Sequence, residues 1–171
     1  MGLLRRGGDV PDGERFQMRE KLLSIGDDYW IENGQGERAY RVNGKALRMR
    51  QTFVLEDASG GEVARIQERK LSVRDKVAIE RQGDRAATVR KALVGLRDRF
   101  TIEVEHGGDL KAHGRIGDHE YEIERDGDTV AKVSKKWFRV RESYGVDIAA
   151  GQDTPLILAI TVAIDSLTTR D

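Results

Sequence analysis

The amino-acid sequence predicts an all-β protein with one helix: a closed antiparallel barrel of about twelve strands around a buried, hydrophobic C-terminal α-helix. Three observations lead to this prediction. A strand-like unit recurs six times at spacings of 21 to 24 residues, and a glycine-containing turn signal follows each unit. One predominantly apolar segment, TPLILAITVAID, stands near the C-terminus of a chain in which 35% of the residues are charged.

The N-terminus, MGLLRRGGDVPDGERF, is rich in glycine and charge and lacks the apolar run of a signal peptide. We expect residues 1–16 to be a flexible tail and residues 17–171 to be a single domain, since this length leaves little room for a second core. The absence of cysteine fits a cytoplasmic protein, either free or peripheral to the membrane. Because 30 basic residues balance 30 acidic ones, a uniformly basic nucleic-acid-binding protein is disfavoured.

The repeated unit is a large apolar residue, any residue, an aliphatic residue and an acid. In Phe100-Thr101-Ile102-Glu103, for example, the first and third residues share one face and the second and fourth share the other. This period of two is typical of a half-buried strand with an outward acid. The six units begin at Tyr29, Phe53, Val77, Phe100, Tyr121 and Tyr144.

A second alternating run follows each turn signal. Gly, Asn and Asp in signals such as ASGG at 58 supply the positive φ that tight hairpins require. In Ala131-Lys132-Val133 the small and branched residues face inward and the base faces outward. Each repeat is therefore predicted to be a hairpin. With the leading run MREKLLSI at 18 included, the count is six first strands and six second strands, about twelve in all. About twelve consecutive strands would leave long edges unless the sheet closes.

The segment TPLILAITVAID is predicted to be a helix, over about residues 154–168, that fills the barrel. About eight strands enclose only their own side chains, whereas about twelve leave room for a helix ~10 Å across. Thr154 is a suitable N-cap and Pro155 suits the first helical position. The nine uncharged residues from Leu156 to Ile164 are too few to cross a bilayer, which takes ~20. A buried strand is the alternative, because Ile, Thr and Val also favour strands.

The sequence resembles the LURP-one-related family in two long segments, KLLSIGDDYWIENGQGERAYRVNGKALRMRQTFVLED and HEYEIERDGDTVAKVSKKWFRVRESYGVDI. The similarity extends over roughly residues 17–168 and implies the Tubby C-terminal-like barrel, with no established activity. Distant relatives are the Tubby proteins, which bind phosphoinositides, and the phospholipid scramblases. The Lys/Arg cluster of the former and the acidic calcium segment of the latter have no counterpart here. No functional residue is therefore carried over from either group.

Basic residues cluster where the second strands of the hairpins end. The stretch KVSKKWFRVR contains five bases, one tryptophan and no acid, and RVNGKALRMR and RKALVGLRDR are also rich in bases. We predict that these clusters recognise an anionic phospholipid headgroup or another phosphorylated ligand, with the tryptophan at the membrane interface. The predicted binding residues are Lys132, Lys135, Lys136, Trp137, Arg139, Arg141, Lys45, Arg48, Arg50, Lys91 and Arg97.

The same charges also fit a solvated ladder, in which outward acids of the first strands pair with outward bases of the second strands across each hairpin. That arrangement explains both the high charge content and the zero net charge. A functional alternative is a protein-interaction barrel with no small ligand, in which Trp30 and Trp137 belong to an exposed contact patch.

No catalytic or metal motif stands out. The sequence contains no G-x-S-x-G, H-E-x-x-H or Walker pattern. His106, His113 and His119 lie near acidic residues, but their spacing matches no established metal pattern, so surface histidines are expected and neither a metal nor a cofactor is predicted. The expected function is a non-enzymatic binding or scaffold protein without a transmembrane segment. An enzyme with an unrecognised site remains the other alternative.

Overall fold

A computed structural model of the chain places each of the six repeated units in a strand of one closed antiparallel barrel. The structure describes residues 13–19, 28–47, 50–68, 76–94, 97–138 and 142–168. The strands are β1 (Glu14–Arg19), β2 (Asp28–Asn33), β3 (Arg38–Leu47), β4 (Arg50–Asp57), β5 (Glu62–Glu68), β6 (Lys76–Arg81), β7 (Asp84–Val94), β8 (Arg97–Val104), β9 (Leu110–Arg115), β10 (Glu120–Arg125), β11 (Asp128–Ser134) and β12 (Ser143–Ile148). The helix α1 (Thr154–Thr168) follows β12, and a short 3-10 helix (Ile116–Asp118) precedes β10.

The barrel closes through the pairing of β1 with β12. The two strands run antiparallel from Glu14 opposite Ile148 to Arg19 opposite Ser143. Every other strand pairs with its neighbours in sequence. Closure satisfies the backbone groups that a first and a last strand would otherwise expose, and it confirms the predicted closed barrel of twelve strands.

The barrel starts earlier than the sequence indicates. The predicted tail includes residues 14–16, but β1 begins at Glu14, and Phe16 and Met18 are buried in the core. Only these two apolar residues alternate within β1, which is too short a pattern to stand out beside the glycine-rich and charged residues before it. Most of the predicted strand at MREKLLSI falls in residues 20–27, which are outside the described residues.

Four hairpins share one irregularity. In each of them the strand register shifts between the aliphatic residue and the acid of the repeated unit, and one extra residue lies on the second strand. Such β-bulges bend and twist a strand pair, which helps the sheet to curve into a barrel. The shifts fall at Ile31/Glu32, Leu55/Glu56, Ile79/Glu80 and Ile123/Glu124.

Helix α1 lies inside the barrel, as predicted, and the alternative of a buried strand is wrong. Every side chain from Leu156 to Leu167 is buried, and the helix packs against β5, β6, β7 and β12. The Thr161 hydroxyl donates a hydrogen bond to the carbonyl of Ile157 at 2.9 Å, so this polar group has a partner in the core. Among the described residues, no helix has the length and apolar composition that crossing a membrane requires.

The N-cap of α1 is Asp153 and not the predicted Thr154. Asp153 Oδ1 accepts a hydrogen bond from the backbone N–H of Leu156 at 3.3 Å. Thr154 is the first helical residue, and Pro155 lies in the first turn, where a missing N–H is tolerated. The carboxylate also suits the positive end of the helix dipole. Arg81, the last residue of β6, donates to Asp153 Oδ2 at 2.6 Å and ties the helix start to the wall.

The connections between strands form two groups at opposite ends of the barrel. At the turn end, short connections join the two strands of each hairpin, and β12 leads into α1. At the linker end, connections join one hairpin to the next, and α1 ends beside them. The turn-end connections are residues 34–37, 58–61, 82–83, 105–109, 126–127 and 149–153. The linker-end connections are residues 20–27, 48–49, 69–75, 95–96, 116–119 and 135–142, of which the structure describes 116–119, 135–138 and 142.

Candidate functional site

The connections at the two ends of the barrel differ in composition. By sequence, turn-end connections contain five acidic residues and no Lys or Arg, whereas linker-end connections contain nine Lys or Arg residues and five acidic ones. Of the linker-end charges, only Lys135, Lys136, Asp118 and Glu142 lie within the described residues. An eight-residue strand such as β4 spans ~26 Å, about three Debye lengths at physiological salt, so charges at one end interact only weakly with those at the other. The turn-end acids are Glu37, Glu105, Asp109, Asp126 and Asp153, and the linker-end bases are Lys21, Arg48, Arg69, Lys70, Arg74, Lys135, Lys136, Arg139 and Arg141.

All three predicted basic clusters belong to the linker end. They fall at the junctions β3/β4, β7/β8 and β11/β12, and four strands separate each junction from the next around the barrel. The strands that carry the clusters are therefore spaced evenly around the barrel. Lys45 and Arg50 lie on the strands of the first junction, Lys91 and Arg97 on those of the second, and Lys132, Lys135, Lys136 and Trp137 belong to the third. Arg48, Arg139 and Arg141 lie outside the described residues.

Lys135 and Lys136 are exposed and lie in a turn that a single carboxylate organises. Glu120, the first residue of β10, accepts hydrogen bonds from the Ser134 hydroxyl at 2.9 Å and from the backbone N–H of Lys135 at 3.1 Å. The Ser134 hydroxyl in turn accepts from the backbone N–H of Lys136 at 3.1 Å. These three bonds hold the backbone that carries both lysines.

Trp137 packs on the outer wall of β12. A Cβ atom built on Gly145 would lie 2.6 Å from the Trp137 ring and 2.8 Å from the Phe138 ring, so both rings lie directly over this glycine. The Arg15 guanidinium stands 4.2 Å from the centroid of the Trp137 ring, within the range of a cation–π contact. The half-buried tryptophan therefore covers the wall, and only its exposed part is accessible to a membrane.

Trp30 lies on the barrel wall among charged side chains. Its ring centroid is 5.0 Å from the Arg38 guanidinium and 5.9 Å from that of Arg41. Together with Asp28 and Glu32 it lines a surface pocket of about 420 Å³. This surface lacks the apolar character that would favour the alternative of a protein contact patch at Trp30.

Outward charges on the wall form cross-strand pairs, as the ladder interpretation predicts. Arg41 lies 3.4 Å from Asp28 and 3.8 Å from Glu56, and Arg90 lies 3.3 Å from Glu103. Two of these contacts join neighbouring hairpins, a pairing that the sequence alone did not predict. Exposed pairs of this kind contribute only ~0 to 1 kcal/mol each. They place the wall charges of both signs close together.

A polar cluster lies inside the barrel near the linker end. Asp165 of α1 is 4% exposed, and the Tyr144 hydroxyl donates a hydrogen bond to one of its carboxylate oxygens. The hydroxyls of Tyr29, Tyr121 and Tyr144 have pKa values above the ordinary value for tyrosine. Burial is the larger cause, and the negative charge of Asp165 is the next. The cluster connects the C-terminal part of the helix to the wall.

His119 also belongs to this interior cluster, which corrects its prediction as a surface histidine. Its Nε2 lies 3.2 Å from Asp165 Oδ1, and its ring stacks on Tyr144 with the centroids 4.3 Å apart. The residue follows the short 3-10 helix and has a left-handed backbone, with φ of 52°. The sequence did not predict this turn, because His, although it can adopt a left-handed backbone, is not one of the residue types that signal a turn. His106 is exposed, as predicted, and His113 is half-buried.

A shallow pocket of about 470 Å³ on the outer wall gathers basic residues from three strands. Lys132 of β11, one of the predicted binding residues, meets Arg99 of β8 and Arg115 of β9 there. Arg115 was missed because only the pairing of β9 with β10 brings it close to the others. The remaining lining residues are His113, Gly114, Glu120, Tyr121 and Glu122.

Comparisons with known proteins agree with this architecture. The family model described as LURP-one-related matches residues 14–165. The X-ray structure of a protein from Arabidopsis thaliana superposes with a TM-score of 0.63 at 17% sequence identity, covering 90% of this chain and 91% of that one. No curated protein matches the sequence. The family match spans most of the chain and the structural match has the same fold, so the chain belongs to the LURP-one-related family.

Proposed function

We propose that the protein is a non-enzymatic binding module whose linker end recognises phosphate groups, on anionic phospholipid headgroups or on a soluble phosphorylated ligand. The observation that carries this proposal is the pair of exposed lysines, Lys135 and Lys136, in the turn that follows β11 at the linker end. By sequence the other linker-end connections, most of which lie outside the described residues, add further bases, so we expect this end of a chain with zero net charge to approach an anionic surface first.

The local structure around the linker-end lysines supports the proposal. Lys135 and Lys136 are exposed in a turn whose backbone is held by Glu120 and Ser134. A lysine near an anionic membrane contributes ~1 kcal/mol to binding. Two adjacent exposed lysines therefore support reversible peripheral attachment.

The test is co-sedimentation with phosphatidylcholine vesicles, with and without phosphatidylserine, across a salt series. We expect binding to anionic vesicles only, weakening as salt rises. Replacing Lys135 and Lys136 by Gln removes ~2 kcal/mol, or roughly 30-fold in affinity at low salt. The matched control replaces Arg85 and Lys111, two exposed bases near the turn end, by Gln and is expected to bind like the wild type.

A second arm separates the two sources of phosphate. Inositol hexakisphosphate is titrated into the protein by calorimetry without vesicles. Saturable binding that the Lys135/Lys136 variant loses would assign a soluble phosphorylated ligand, whereas binding to vesicles alone would assign a membrane surface. Equal binding to neutral and anionic vesicles, or equal losses in the two double variants, would contradict the proposal.

A further inference from the structure

Three side chains with metal-binding groups meet on the outer wall of the barrel. His113 lies on β9 directly opposite Glu122 of β10, and Glu124 is two residues further along the same strand. Alternate residues of a strand share a face, so both carboxylates lie on the outer side with the imidazole. One potential ligand atom from each of the three residues lies within 4.8 Å of the others, and His113 Nε2 is 2.8 Å from Glu124 Oε1.

The donors match the chemistry of a divalent transition metal. Imidazole nitrogen and carboxylate oxygen bind Zn²⁺ at ~2.0 to 2.2 Å, which places the donors of a tetrahedral site roughly 3.4 Å apart. The flexible glutamate side chains reach that spacing by small rotations. Two carboxylates balance the charge of a divalent ion, and three protein ligands leave one position for water or another ligand.

The group departs from the charge ladder found elsewhere on the wall. Glu56 and Glu103 face arginines, whose guanidinium groups are always charged and have no lone pair for a metal. Here an imidazole, which offers a nitrogen lone pair when neutral, takes the place of the arginine. The Thr129 hydroxyl lies 3.5 Å from Glu122 Oε2, where it helps to orient that carboxylate.

A third glutamate on the same face of β10 provides a contrast. Glu120 accepts hydrogen bonds from the Ser134 hydroxyl and the backbone N–H of Lys135, so both donors direct it toward the β11 turn. It is not a member of the converging group. The side chains of Glu122 and Glu124, in contrast, converge on His113.

We propose that His113, Glu122 and Glu124 form a surface site for a divalent transition-metal ion, such as Zn²⁺ or Mn²⁺, with one position open to the solvent. The open position borders the pocket that contains Arg99, Arg115 and Lys132, because His113 and Glu122 also line that pocket. An anion is therefore the ligand class that this position favours. The surrounding bases repel a bare cation, which keeps the affinity moderate.

The test uses the full chain, stripped with chelator and titrated separately with Zn²⁺ and Mn²⁺ by calorimetry and by thermal unfolding. We expect one ion per chain, and at a hundredfold excess over Kd a rise in melting temperature of roughly 5 to 10 °C. His113→Gln should weaken binding at least tenfold. His106→Gln, which changes an exposed turn histidine, is the matched control and should leave it unchanged.

Two further measurements make the result decisive. Glu124→Gln should weaken binding as His113→Gln does, and the metal-free variants should melt near the wild-type temperature, because His113 is 42% exposed. Lowering the pH should weaken binding, since protons compete with the metal for the ligands. The proposal is overturned if neither metal binds saturably, or if His106→Gln loses as much affinity as His113→Gln.

Discussion

Ile160 provides a direct test of the internal helix. The side chain is fully buried in the middle of α1, which is enclosed by the barrel wall. Shortening it to Val removes one methylene group and should cost ~1 kcal/mol, and shortening it to Ala should cost ~2 to 5 kcal/mol, because a packed barrel collapses little around the cavity. For a domain of this size each kcal/mol lowers the melting temperature by roughly 2 to 4 °C.

Charge at this position should prevent folding. Ile160→Asp loses the buried apolar side chain, as the Ala variant does, and also places a carboxylate in the core, which costs several kcal/mol when it has no partner. The typical stability of a whole domain is only ~5 to 15 kcal/mol. Asp165 is tolerated in the same helix because the Tyr144 hydroxyl donates to it and His119 lies beside it. The comparison separates the effect of a charge from the effect of its surroundings.

The assay is thermal and urea unfolding followed by circular dichroism. The exposed wall residue Lys111, replaced by Ala, serves as the control and should change stability by less than ~0.5 kcal/mol. The expected order of melting temperatures is wild type, Val, Ala, with Asp unfolded. If the Ala variant melted within a degree of the wild type, the helix would not be the enclosed core element described above.

Two other predictions concern the wall and the interior cluster. Gly145→Ala should lower the free energy of unfolding in urea by ~1 to 3 kcal/mol, because the added Cβ would meet the Trp137 ring. Adding Trp137→Ala should recover part of this loss, whereas additive losses from the two substitutions would argue against the contact. The pKa of the buried hydroxyls of Tyr29, Tyr121 and Tyr144 is raised in the folded state, so the contribution of these groups to stability is complete below about pH 10. Above that pH, each tyrosine should lower the free energy of unfolding by ~1.4 kcal/mol per pH unit. Unfolding measured between neutral and alkaline pH should show this decline, and Tyr121→Phe should reduce its slope; an unchanged slope would contradict the assignment.

Much of the fold was predictable because each element has a local signal. The alternation in a unit such as Phe100 to Glu103 reports which face is buried, and the turn residues report where each strand ends. Regular spacing then implies hairpins, and twelve strands imply closure. The weak points were local as well: β1 has two alternating apolar residues, and Asp153 takes the N-cap position that Thr154 was expected to occupy.

The functional surface was less predictable because it depends on residues far apart in sequence. Basic clusters were visible as runs, but their spacing around the barrel follows from strand order alone. The packing of Trp137 over Gly145 requires the β11–β12 connection to lie against the wall. The sequence did not identify Glu122 and Glu124 as neighbours of His113, because no local pattern shows that Glu122 lies opposite it.

The sequence by itself determined the strand pattern, the buried helix and the balance of charge, because burial periodicity and turn chemistry act over a few residues. The tertiary structure alone decided where those charges go. Antiparallel pairing places the tight turns of the hairpins at one end of the barrel and the β11–β12 connection at the other, so Asp126 and Lys135 lie at opposite ends. Strand register brought His113 beside two glutamates, and closure placed Asp165 among tyrosines. These relations depend on distances through space, which a linear pattern does not contain.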